Sequence, residues 1–128
     1  MYEIEIDREH RRVVTVWGDS VTDESVLAYQ REVWSDNSLM GFSELIDFRG
    51  AGDPEVTSAG LKALAKEALA MNGDVGFGKT AIVVRDPFTF GMARMYEALR
   101  TTQEGNRRQI KVFTDWDAAM GWLREKGG

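Results

Sequence analysis

Polar and apolar residues alternate in Glu3-Ile4-Glu5-Ile6-Asp7, and β-branched residues dominate Arg12-Val13-Val14-Thr15-Val16-Trp17. Both stretches carry the two-residue period of a strand. The short polar link Arg8-Glu9-His10-Arg11 joins them as a hairpin, ending at Gly18. The period then lengthens to that of a helix. Val26, Leu27, Gln30, Val33 and Trp34 fall on one helical face, behind Thr22 as N-cap and Asp23-Glu24 in the first turn. Ser35-Asp36-Asn37-Ser38 stops that helix.

The remaining chain repeats this succession. Glu44-Leu45-Ile46-Asp47-Phe48 reads as a short buried strand, and Gly50, Gly52 and Pro54 mark a loop. A helix begins between Asp53 and Ser58, carries Leu61, Leu64, Ala65, Ala68 and Leu69, and is expected to stop at Asn72-Gly73. Thr80-Ala81-Ile82-Val83-Val84 is a continuous apolar strand. Asp86-Pro87 opens a helix striped by Phe88, Met92, Met95, Tyr96 and Leu99. Gln109 to Phe113 forms the last strand, and Thr114 is expected to cap a final helix with Trp116, Ala119, Met120 and Leu123. The order ββαβαβαβα predicts an α/β fold, a mostly parallel five-stranded sheet with an N-terminal antiparallel hairpin and four helices. Residues 1–128 are expected to form a single domain.

Composition narrows the function classes. The formal net charge is −5, which disfavours nucleic acid and anionic lipid as partners. The densest basic spots, Arg11-Arg12 and Arg107-Arg108, are read as pairs in turns. There is no cysteine, so disulfides and thiolate chemistry are excluded. No leader or spanning segment is visible, and a cytoplasmic location is expected.

Gly73 to Thr80 matches the phosphate-loop pattern G-x-x-x-x-G-K-[ST]. That loop works when a strand precedes it and a helix follows, so that the helix N-terminus faces the phosphates. Here a helix precedes and a strand follows, so a nucleotide-binding enzyme is a minor alternative. Asp47, Asp86 and Asp115 fall at or just past strand ends, the edge where open α/β sheets bind ligands. Three carboxylates there could serve a divalent cation or a phosphotransfer receiver. Asp86 and Asp115 equally suit helix starts, so no metal and no cofactor is expected. His10, the single histidine, lies in the hairpin turn without a visible partner, and no catalytic set is assembled. Phe90 falls off its helical stripe and Trp122 at the margin of its own, so Phe90 is a candidate partner surface, including for a homodimer.

The layout resembles the SpoIIAA-like family, relatives of the STAS domains of anti-sigma-factor antagonists. The resemblance rests on the element order and on Leu45-Ile46-Asp47-Phe48-Arg49-Gly50. It rests also on Thr80 to Val84 followed by a helix with Ala93-Arg94, and on Val112-Phe113-Thr114-Asp115 with Ala118 to Leu123. It implies a non-enzymatic bacterial regulatory or binding module, served by a protein partner or, through the likeness to Sec14-type carriers, a small apolar ligand. STAS domains carry a phosphoacceptor serine in a motif like Asp-Ser-x-Gly-Leu. Thr57-Ser58-Ala59-Gly60-Leu61 resembles it, which makes Ser58, with Thr57 beside it, the phosphoacceptor candidate. Thr57 stands where the motif has aspartate, and the loop from Gly50 to Val56 is longer than the STAS loop.

Overall fold

The computed structural model describes residues 1–75 and 78–125, and for 72–75 the helical backbone alone. Five strands lie in their chain order across one sheet: β1 (Tyr2–Asp7), β2 (Arg12–Asp19), β3 (Ser43–Ala51), β4 (Gly78–Val83) and β5 (Arg108–Phe113). β1 and β2 pair antiparallel, while β2 to β5 run parallel. The mixed sheet and the element order are those predicted.

Helices α1 (Asp23–Trp34), α2 (Ser58–Val75) and α3 (Pro87–Thr101) make the three crossovers between the parallel strands. Each crossover advances the sheet by one strand in the same direction. Right-handed connections of that kind place successive helices on one face. Val13 and Trp17 meet Val26, Tyr29 and Val33 of α1 there, and Ile82 and Ile110 meet Leu61 and Ala65 of α2 and Ala93 and Tyr96 of α3. Helix α4 (Trp116–Arg124) lies on the opposite face, where Ala119 and Leu123 pack on Leu45, Ala81 and Val83. β4 is thus covered on both sides, which is why its sequence is apolar without alternation.

Several local expectations are corrected. α2 runs through Asn72-Gly73 to Val75, because Gly in a helix costs only about 1 kcal/mol. The cap of α4 is Asp115, whose carboxylate accepts from Ala118 N at 2.9 Å, and not Thr114. Arg12 and Arg108 belong to strands, and Arg108 is buried. On α3 the buried positions are Ala93, Tyr96 and Arg100, while Phe88 and Met95 of the expected stripe are exposed at 59% and 41%. Phe90 is half-buried against the α2–α3 side of the core, so the exposed aromatic at this end is Phe88. A short 3-10 helix, Asn37–Leu39, adds Leu39 to the core.

Candidate functional site: a cavity with a polar wall

The alternation of each parallel strand aims every second side chain at the α1–α3 layer. From β2 these are Val13, Thr15 and Trp17, and from β3 Glu44, Ile46 and Phe48. Thr80 and Ile82 of β4 and Arg108 and Ile110 of β5 continue the row. The helices do not fill the space above these residues. A cavity of about 110 Å³ remains, walled mostly by apolar groups such as Val26, Trp34, Phe48, Leu61, Leu64 and Ile82. Its half-buried lining includes Ala51 at the end of β3, Pro54 and Val56 of the β3–α2 loop and Thr89 at the start of α3, beside Ile46, Phe48, Leu64, Met71 and Met92 within the strands and helices. The first four lie at or past the C-terminal ends of the strands, the edge that open parallel sheets use for ligands.

One wall is polar. Glu44 is 4% exposed and accepts from Tyr29 Oη at 2.6 Å and from Thr80 Oγ1 at 3.0 Å. Thr15 Oγ1 lies 2.8 Å from Tyr29 Oη, and since the phenol proton goes to Glu44, Thr15 is the donor there. On the other side Arg108 Nε donates to Thr80 Oγ1 at 2.8 Å. Arg108 Nη2 donates to the carbonyls of Phe42 and Lys79. Arg108 Nη1 lies against Gly78, where a Cβ would come within 2.4 Å of it, so only glycine leaves room for the guanidinium. Arg100, also buried, donates through Nη1 to Tyr96 Oη at 2.9 Å and through Nη2 to Asn106 Oδ1 at 3.1 Å.

Burial governs the electrostatics. It pushes the Tyr29 phenol well above its ordinary value, and the neighbouring Glu44 charge adds to this. Burial raises Tyr96 too, against the opposing charge of Arg100. It lowers Arg108 to about 10, so the guanidinium stays charged at neutral pH. The wall therefore holds two guanidiniums and one carboxylate.

The residues singled out from sequence lie elsewhere. Asp47 is buried on the α4 face and forms a two-point ion pair with Arg49, with both contacts at 3.0 Å. Asp86 caps α3 through Thr89 N at 2.9 Å, which holds its carboxyl below the usual range. Asp115 caps α4. Among the described residues no three carboxylates or histidines gather as a metal site. Thr57 caps α2, accepting from Gly60 N at 2.9 Å. Asp23 of α1 reaches across to accept from Thr57 N and Oγ1 at 2.9 and 2.7 Å. A Cβ at Gly60 would fall 2.0 Å from that carboxylate. Ser58 is exposed in the first turn of α2, beside this occupied helix start. His10 has a partner after all: its Nδ1 lies 2.8 Å from Asp7 Oδ2 in the exposed turn.

Of the glycine-rich stretch, Gly76 and Phe77 lie outside the described residues, as do the side chains from Asn72 to Val75. Lys79 opens a strand, as the inverted context predicts. Its Nζ donates to the carbonyls of Trp122 and Glu125 at 2.9 Å each, so the ammonium closes the C-terminus of α4 and does not face a phosphate.

Sequence reasoning missed Glu44, Arg100 and Arg108. The signal was present in the strand period: Arg108 shares a face with Ile110, and Glu44 with Ile46 and Phe48.

No family model matches the chain, and no curated protein matches it. Among solved structures it is similar to a protein of the DUF3478 family from Shewanella loihica PV-4, described as uncharacterized and as having a SpoIIAA-like fold. The TM-score is 0.59 at 17% identity, over 95% of this chain and 93% of that one. At that identity the likeness speaks for architecture, and it agrees with the strand order, the hairpin and the four helices described above. The chain has a SpoIIAA-like fold.

Proposed function

We propose that this domain is a non-catalytic binding module whose ligand is a small, largely apolar molecule held between the sheet and the three-helix layer. The observation that carries the reading is the cavity of about 110 Å³ with its apolar walls. Apolar cavities of roughly 150 Å³ take up benzene-sized molecules. Met71 and Met92 in the lining supply flexible side chains that can repack around a guest. The rim at the C-terminal edge of the sheet supports access from that side.

Hexan-1-ol, neutral and largely apolar, tests the proposal. Trp17 and Trp34 line the cavity and report occupancy by fluorescence. A saturable change with a rise in Tm is expected, and Ala93→Leu, which fills the space from α3, should keep the fold and lose the response. No saturable change in the wild-type protein, or unaltered binding in the variant, refutes the proposal. A phosphorylated Ser58 is the second reading, supported by the exposure of that side chain at a helix start. The Asp23 carboxylate already at that helix start opposes it. Intact mass of protein from its own host decides this: phosphate mapped to Ser58 or Thr57 favours the switch, and an unmodified mass at both removes it.

A further inference from the structure

The polar groups on the cavity wall are not matched to one another. Among the described residues, three buried side-chain atoms of the lining have no hydrogen-bond partner: Trp17 Nε1, Arg100 Nε and Arg108 Nη1. All three are N–H donors. Arg108 Nη1 packs against Gly78, and Arg100 Nε and Trp17 Nε1, both fully enclosed, are donors of lining residues without a partner. Buried donors left unsatisfied are uncommon, and each costs the free energy of its lost hydration.

The charges show the same imbalance. Glu44 stands against Arg100 and Arg108 in the lining, all three buried. The ion pairs of the described residues are His10–Asp7, Arg31–Glu67, Arg49–Asp47 and Arg94–Glu97, so neither buried arginine takes part in one. Glu44 is already linked to Arg108 through the Thr80 hydroxyl. Arg100 is held only by neutral groups, Tyr96 and Asn106. A buried cation without a countercharge is costly, and a ligand carrying one negative charge supplies what is missing.

We propose that the cavity selects a monoanion, a small carboxylate with an apolar body, whose head group takes its hydrogen bonds from Arg100 at the polar wall. This rests on the cavity reading above and adds to it a charge and an orientation. The volume, below that of the cavity that holds benzene, limits the body to about five carbons. Acceptor oxygens fit a wall whose free groups are donors. A single charge fits a wall with one cation in excess.

The probes are hexanoate, hexanamide and hexan-1-ol, titrated at neutral pH into the full chain and followed by calorimetry and tryptophan fluorescence. Hexanoate should bind at least about tenfold more tightly than hexanamide, the margin of one charge-assisted hydrogen bond. Arg100→Gln should bring that ratio close to one, while Arg100→Lys, which keeps the charge but not the planar fork, should retain part of it. Circular dichroism checks that each variant folds, and the wild-type comparison of acid with amide needs no variant. Equal binding of hexanoate and hexanamide overturns the head-group assignment, as does an unchanged ratio in folded Arg100→Gln. If hexan-1-ol binds while hexanoate gains nothing over hexanamide, the cavity reading survives and this one fails. If none of the three binds, both fail.

Discussion

Replacing Glu44 by leucine removes the only carboxylate of the buried network while keeping most of its volume. In the native protein that carboxylate accepts two hydroxyl protons, at 2.6 Å from Tyr29 and 3.0 Å from Thr80. Hydrogen bonds to a charged group contribute about 1.5–3 kcal/mol each. The substitution also strips Arg108 of its one nearby countercharge, and breaking a buried ionic arrangement from one side costs about 3–5 kcal/mol. The two figures describe overlapping losses, so we expect a destabilisation of about 3–5 kcal/mol and not their sum. Glu44→Gln keeps one acceptor and presents an amide N–H₂ to the other hydroxyl, and about half that loss is expected. Urea unfolding at constant pH measures both, with an unchanged m-value showing that the denatured state is not the cause. A loss below about 1 kcal/mol for Glu44→Leu would mean that water entering the cavity satisfies Arg108 and Tyr29, and that the network does not hold the fold.

Two further outcomes follow from the same structure. Lys79→Met should destabilise the fold by about 2 kcal/mol, because the α4 carbonyls of Trp122 and Glu125 lose a charged donor; thermal unfolding measures it, and an unaltered Tm refutes the capping role. All three tyrosines have raised phenol values: Tyr2 to about 12 through its bond to Glu32, and Tyr29 and Tyr96 through burial. A raised value favours the neutral phenol in the folded state, so this stability is complete below the unfolded value of 10.0 and falls as pH rises towards about 12. Tyrosinate absorbance should therefore stay flat through pH 10 and then rise together with unfolding, and a tyrosine that ionises at its ordinary value in folded protein would contradict the assignment.

The architecture was legible because periodicity is a property of neighbours in sequence. The alternation of Glu3 to Asp7 and the apolar run of Thr80 to Val84 fix a pleated edge and a doubly covered strand without knowledge of what they touch. The cavity wall was not legible in the same way. Arg108 sits beside Arg107 and before a strand, so a local reading places it in a turn; only continuing the alternation back from Ile110 turns it inward. Arg100 follows Tyr96 by one helical turn, which orients it, but its burial depends on how α3 lies over β5. The aspartates that sequence favoured were conspicuous for their position at strand ends, and two of the three are spent on helix caps.

The Thr80 hydroxyl has a single proton, which goes to Glu44, and a lone pair, which receives Arg108. This has a bearing on how the sheet finds its alignment. Apart from Lys79 and Thr80, β4 is apolar on both faces, so sliding it by two residues against β3 would preserve every inward and outward assignment of its apolar residues and cost little in buried apolar area. Such a slide would set Ile82 or Gly78 opposite Glu44 in place of Thr80, and the carboxylate would lose a donor while Arg108 lost its acceptor. The hydrophobic pattern decides that this segment is a central strand. The hydroxyl decides which of its near-equivalent alignments is the native one, and it does so for β3, β4 and β5 at once.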